Sequence, residues 1–183
     1  MKSPILKGPR VTLRPIKLSD ASDYVRWFKD KEVVRYLGNK LLNIKEKGVK
    51  DFFSKMIRSK ENLLWAIIAP DGVHIGNTVL RLDDGNKRAG FGIVIGDKKY
   101  WGQGYGPECL KILENYVFKK LNYNRLHLTV FTDNRRAVKA YQKAGFKKEG
   151  ILRKHIFAWV GMEYCDEYMM SILHQEWSAK KHK

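Results

Sequence analysis

The sequence predicts an α/β chain of the α+β kind, and three stretches carry that expectation. In the first, a strand-like run, Ala89-Gly90-Phe91-Gly92-Ile93-Val94-Ile95, leads to glycines at 102, 104 and 106. From Pro107-Glu108 onward, Leu110, Leu113, Val117 and Leu121 then recur at helical spacing. In the second, Arg125 to Phe131 reads as a strand and Thr132-Asp133-Asn134 as a helix start. Ala137, Ala140, Tyr141 and Ala144 share one face of that helix, which Gly145 closes. In the third, Asn62–Ala69 and Val73–Leu82 flank Pro70-Asp71-Gly72 as neighbouring strands of a meander.

The remaining elements follow in order. Val11-Thr12-Leu13-Arg14 alternates like an edge strand, and Leu18-Ser19-Asp20 offers helix-start chemistry before the apolar side made by Tyr24, Val25, Trp27 and Phe28. Val33, Val34, Tyr36 and Leu37 form a short apolar group. Val49, Phe52, Phe53 and Met56 recur at spacings of three and four on a second helix, and the stretch 37–48 between them reads as a flexible lip. Asp83-Asp84-Gly85-Asn86 is a turn, and Gly90 and Gly92 in the strand that follows predict a bulge or a close backbone approach. Glu149–Trp159, Gly161 and Tyr168–Leu173 make a long hairpin, and the basic tail 178–183 frays.

At 183 residues the chain suits one domain, 1–183, with a core from about Lys7 to His174. Hydrophobic residues make up 44% of it, which argues against disorder, and no apolar run approaches the roughly 18 residues of a membrane-spanning helix. The start, MKSPILKGPR, lacks the apolar core and small-residue cleavage site of a secretory signal, so a cytoplasmic protein, monomer or homodimer, is expected. Cys109 and Cys165 have no metal-like spacing, and no metal is expected. The net charge of +17 would attract phosphates, nucleic acid or other anions. Much of it is scattered lysine without an arginine-rich block or an RNA-binding fingerprint, which reads as a solvated surface.

The glycine turn is the most informative stretch. Glycine lets backbone approach a ligand closely, and the first N–H groups of a helix lack internal partners while the helix dipole adds positive potential. A phosphate or pyrophosphate is the natural guest. The dinucleotide fingerprint GxGxxG fails in register, since its last glycine falls on Pro107 or Cys109, and GxxxxGK[ST] is absent. The order of strand, glycine turn, helix, strand and Asn134-started helix with Tyr141 and Ala144-Gly145-Phe146 closely resembles the GNAT family of acetyl-CoA-dependent N-acetyltransferases. The family motif [QR]xxGx[GA] maps onto Trp101-Gly102-Gln103-Gly104-Tyr105-Gly106. Trp101 stands where most members carry glutamine or arginine. That departure, with VTLRPIKLSDASDYVRWFKDKEVVRYLG near the start and FKKEGILRKHIFAWVGMEYCDEYMMSIL near the end, resembles the branch of ribosomal-protein alanine or serine N-acetyltransferases and polyamine acetyltransferases.

The resemblance implies the GNAT fold: a mixed, largely antiparallel twisted sheet flanked by helices, with two central strands splayed apart. It implies acetyl-CoA as cosubstrate, its pyrophosphate on Gly102, Gln103, Gly104, Tyr105 and Gly106, and its thioester arm on the main chain of Ile93, Val94 and Ile95, with Asn134 in reach of the arm. An N–H near Val94 would polarise the thioester carbonyl, and Tyr141 would protonate the departing thiolate. The two helices after the first strand would wall the acceptor pocket, so Trp27, Tyr36 and Phe53 are either acceptor contacts or core.

His127, Glu149, His155 and Asp166 all stand as candidates for the general base, alongside attack by an amine deprotonated through ordered water. The expected reaction is acetylation of a primary amine. A protein N-terminal α-amine is favoured over a polyamine, because a +17 enzyme repels polycations unless its pocket is locally acidic. Ribosome association stays open and nucleic acid is not required. A noncatalytic acyl-CoA-binding regulator or RNA-associated module on the same fold is the rival class.

Overall fold

A computed structural model of the chain describes residues 3–37 and 44–179. Its strands β1 (Leu6–Lys7), β2 (Thr12–Pro15), β3 (Asn62–Ile68), β4 (His74–Asp83), β5 (Arg88–Ile95), β6 (Arg125–Phe131), β7 (Lys147–Ala158) and β8 (Glu163–Leu173) form one sheet in the order β1-β2-β3-β4-β5-β6-β8-β7. Only the β5–β6 pair is parallel. The helices are α1 (Ala21–Phe28), α2 (Lys31–Val34), α3 (Glu46–Arg58), α4 (Tyr105–Asn115), α5 (Arg135–Ala144) and α6 (His174–Ala179).

Alternation along β3 shows how the sheet is covered. Leu63, Trp65 and Ile67 join the larger core with Leu110 and Leu113 of α4 and Val138 of α5. Leu64 and Ala66 point the other way, onto Val49 and Phe53 of α3 and Ala21 of α1. Thus α4 and α5 lie on one face and α1 and α3 on the opposite one. A third cluster, Trp27, Phe28, Val33 and Val34, joins α1 to α2 and reaches Val94, Trp101 and Val160.

Several expectations are corrected. The strand at 11–14 is not an edge, because Leu6 and Lys7 pair with Leu13 and Thr12. Among the described residues three α-helices, not two, separate β2 from β3. α4 begins at Tyr105 rather than Pro107, with Gly104 as its left-handed cap, and a π-helical turn, Tyr116–Lys120, completes the run to Leu121. Glycines 90 and 92 make no bulge, since β4 and β5 keep one register from Gly76↔Ile95 to Asp83↔Arg88. Within the basic tail, Ser178 and Ala179 belong to α6, while 180–183 lie outside the described residues, as do 38–43 of the expected lip.

Candidate active site

β5 and β6 are paired only at Arg88↔Arg125, Ala89↔Leu126 and Gly90↔His127. Beyond that rung each strand keeps its other neighbour, β5 on β4 as far as Ile95 and β6 on β8 as far as Phe131. The strands therefore part, leaving a wedge lined by unpaired main chain. The carbonyl of Val94 lies toward Gly76 of β4, where it would strike a Cβ at 2.1 Å. Because N–H and C=O directions alternate along a strand, the groups of Ile93 and Ile95 face the wedge. The side chains divide too: Ile93 and Ile95 pack toward α4 and α5, and Val94 toward α1 and α2.

The glycine turn stands at the open end of the wedge. Gly102 and Gly104 have φ of 79° and 85°, left-handed values at which a side chain is strained. Among the described residues, none of the amides of Gly102, Gln103, Gly104, Tyr105 and Gly106 donates a hydrogen bond. Open donors at the start of a helix are the kind of group that receives an anion. Arg10 braces the turn from behind: its Nη1 donates to the Gln103 carbonyl at 3.0 Å and its Nε to Glu108 Oε2 at 2.9 Å. That bracket joins residues distant in sequence and had no signal in the motif. Trp101 has a local role, its Nε1 donating to the Ile95 carbonyl at 2.7 Å, which ties the turn to the last residue of β5.

A groove of about 920 Å³ runs between α4 and α5, lined by Pro107, Lys111, Arg135, Arg136, Lys139 and Lys143 among others. A slightly larger groove, about 970 Å³, lies between residues 4–10 and α4. Volume does not select between them. Both carry cations, Lys7, Arg10, Lys111 and Lys120 in the second, but the first runs beside the helix that carries Tyr141.

Tyr141 stands on α5, edge-on to Phe91 of β5 with ring centroids 6.2 Å apart and against Phe146 at 6.0 Å. Burial pushes its phenol up to about 12, so it is protonated at neutral pH. Its hydroxyl has no hydrogen-bond partner among the described residues and keeps some accessible surface. Asn134 caps α5, its Oδ1 accepting the Ala137 N–H at 3.2 Å.

The four base candidates separate. Glu149 is held by both Nη atoms of Arg125 and by Ser171 Oγ, and the Arg125 hydrogen bond is the chief cause that holds its carboxyl at about 2. Asp166 accepts the Lys154 N–H at 2.8 Å, and His155 bonds Glu167 at 2.8 Å, in the part of the β7–β8 hairpin at and beyond the end of β6. His127 alone stands at the foot of the wedge. Its Nε2 lies 3.5 Å from where a Cβ on Gly90 would sit, and its Nδ1 is buried without a partner. Burial, then the charges of Arg125 and Arg88, lower its pKa below the ordinary imidazole value, so the ring is neutral at pH 7.

Arg81 and Glu167 escaped notice in the sequence. Arg81 pairs with Gly90, is exposed, and carries its Nη1 to 3.6 Å from a Cβ position on Gly92. No local signal marked Arg81, since its place opposite Gly90 comes from strand pairing. Glu167 is 4% exposed and bonds His155. Of the aromatic acceptor candidates, Trp27 and Phe53 are core, at 3% and 0% exposure, the Trp27 indole lying where a side chain on Gly96 would be. Tyr36 is only half-buried, its ring against Phe131 at the end of β6.

An eight-stranded sheet parted beside a glycine-capped helix, with a protonated tyrosine on the next helix, is the arrangement of an acyl-CoA N-acyltransferase. The family model for the acetyltransferase (GNAT) domain matches residues 10–147, and the chain belongs to that family. It is 30% identical over 158 residues to the uncharacterized N-acetyltransferase YoaA of Bacillus subtilis, covering 84% of this chain and 89% of that protein. It is 28% identical over 131 residues to the spermidine N(1)-acetyltransferase of Escherichia coli, covering 71% of this chain and 68% of that protein. The crystal structure of spermidine N-acetyltransferase from Vibrio cholerae in complex with CoA and spermine superposes with a TM-score of 0.85 at 22% identity, over 93% of this chain and 99% of that one. Among the described residues no helix is long and apolar enough to cross a membrane.

Proposed function

We propose that this GNAT acetyltransferase moves the acetyl group of acetyl-CoA onto a small primary amine in the wedge between β5 and β6. The observation that carries the reading is the parting of those strands directly above Gly90↔His127, with open main chain facing the gap and open amides at its mouth. In this reading the amides of Gly102, Gln103, Gly104, Tyr105 and Gly106 hold the pyrophosphate. Lys111, Arg135, Arg136, Lys139 and Lys143 receive the remaining phosphate charge in the groove between α4 and α5.

The thioester arm lies along Ile93, Val94 and Ile95 and pairs with the main-chain groups of Ile93 and the N–H of Ile95, whose carbonyl Trp101 already holds, as an added strand would. One of those N–H groups polarises the thioester carbonyl. Asn134 keeps the start of α5 beside the arm. Tyr141 gives its proton to the departing thiolate from the α5 side, and the amine enters from the opposite face. These roles use groups already held in place by packing, which is what positioning catalysis requires.

Relatives with a stated acceptor act on spermidine, in Escherichia coli and Vibrio cholerae, or on L-amino acids, in Escherichia coli, which favours a small amine over the protein N-terminus expected from net charge. Thiol release from acetyl-CoA tests the reading, with small amines and N-terminal peptides as separate arms. Amine-dependent release is the expected result. CoA binding without release for any amine would leave a binding module instead.

A further inference from the structure

On the face of β5 turned away from α4 and α5, Gly90 and Gly92 leave a floor with no side chains, beside the wedge. Its neighbours are Val79, whose Cγ1 a Cβ on Gly92 would meet at 3.1 Å, and side chains that are charged or titratable. His127 stands over Gly90, Arg81 reaches over Gly92, and Thr129 and Arg81 are both exposed, so the floor is open to solvent. A Cβ on Gly90 would meet His127 Nε2 at 3.5 Å and Arg81 Cβ at 3.7 Å, an ordinary fit that would cover the ring nitrogen.

We propose that this floor is the acceptor site and that it takes an amine bearing its own carboxylate, of α-amino-acid type, with Arg81 receiving the carboxylate and His127 a proton from the ammonium. This rests on the wedge being the acetyl-transfer site. Arg81 makes no ion pair among the described residues, whereas Arg14, Arg88 and Arg125 are each paired with a carboxylate. A guanidinium fork left open beside a bare floor matches a carboxylate in shape and charge.

The surrounding charge points the same way. Arg81, Arg88 and Arg125 lie around the floor. Its carboxylates, Asp83 and Glu149, are already engaged by Arg88 and Arg125, so the uncompensated charge is positive. A second ammonium, as in a polyamine, is repelled there, while a carboxylate is drawn in.

The protons balance. The acceptor arrives as an ammonium and gives one proton to His127 Nε2, freeing the lone pair that forms the N–C bond to the acetyl carbon. As the C–S bond breaks, sulfur takes the Tyr141 proton. A second nitrogen proton makes up the one Tyr141 has given, the third remains on the amide, and His127 returns its proton to solvent.

The test is steady-state transfer from acetyl-CoA to free L-amino acids, to the matching amino-acid carboxamides and to spermidine, in the wild type and in Arg81→Gln, with CoA affinity measured by calorimetry. The acids should exceed their carboxamides in kcat/KM by about tenfold or more, a preference worth about 1.4 kcal/mol, and Arg81→Gln should erase that preference while CoA affinity stays the same. His127→Gln should lower turnover and remove the fall in kcat/KM on the acid side. Carboxamides or spermidine used as well as the acids would overturn the acceptor class while leaving acetyl transfer standing. Failure to bind CoA, or thiol release with no amine at all, would overturn both readings.

Discussion

Gly90 and His127 form the last rung of the β5–β6 pair, and the imidazole Nε2 lies 3.5 Å from the place a methyl group on Gly90 would occupy. Immediately past that rung, Phe91 points to the other face and packs edge-on to Tyr141. Consecutive residues of one strand thus face the Tyr141 ring on one side of the sheet and the His127 imidazole on the other. Gly90→Ala tests this placement with little risk to folding, because alanine loses less backbone freedom than glycine and meets no contact shorter than 3.5 Å. The melting temperature should hold or rise while kcat/KM falls by about 10²-fold, the low end of what a positioned base supplies. Full activity would place proton removal elsewhere.

Tyr141→Phe keeps the ring against Phe91 and Phe146 and removes only the proton. Turnover should drop by about 10²–10⁴-fold with CoA affinity unchanged. Stopped-flow measurement of the chemical step distinguishes this from packing: equal losses of CoA binding and of stability would make Tyr141 a core residue.

Gly104→Val should weaken CoA binding for two reasons. Valine is strained at φ 85°, and its Cβ would press on Arg10 Nη2 at 3.2 Å, loosening the brace behind the amides. Calorimetry on the folded variant checks it, and unchanged affinity would move the pyrophosphate off this turn.

Glu149 makes the low-pH behaviour predictable. Its folded pKa, about 2, lies below the ordinary 4.5, so the unfolded chain takes up the proton first. The stability it contributes is complete above about pH 4.5 and is lost as pH falls toward 2. Urea midpoints of wild type and Glu149→Gln should therefore differ at pH 7 and converge as the pH falls through that window. A difference independent of pH would mean that the Arg125–Glu149–Ser171 network acts through shape alone.

Much of this was legible in the sequence, for identifiable reasons. The glycine turn, the Asn134 cap and the face carrying Tyr141 are local features, and local chemistry determined them: Gly104 caps α4, and Asn134 bonds Ala137. What escaped was non-local. Nothing near Arg10 announces that it will bond Gln103, some ninety positions on, and Arg81 gains its meaning only from lying opposite Gly90. Glycines 90 and 92 drew the right suspicion and, in part, the wrong form, since a bare face and a bulge are both written with glycine. His127 was indistinguishable from Glu149, His155 and Asp166 until strand pairing showed which of them stands where β5 and β6 separate.

Residue-resolved amide exchange with and without acetyl-CoA tests the central claim most directly, because the wedge and the glycine turn both present main-chain N–H groups. Protection on binding should concentrate at Ile93, Ile95 and 102–106, with little change along residues 4–10. Protection centred on the groove between residues 4–10 and α4, with Ile93 and Ile95 unchanged, would contradict the placement of the thioester between β5 and β6.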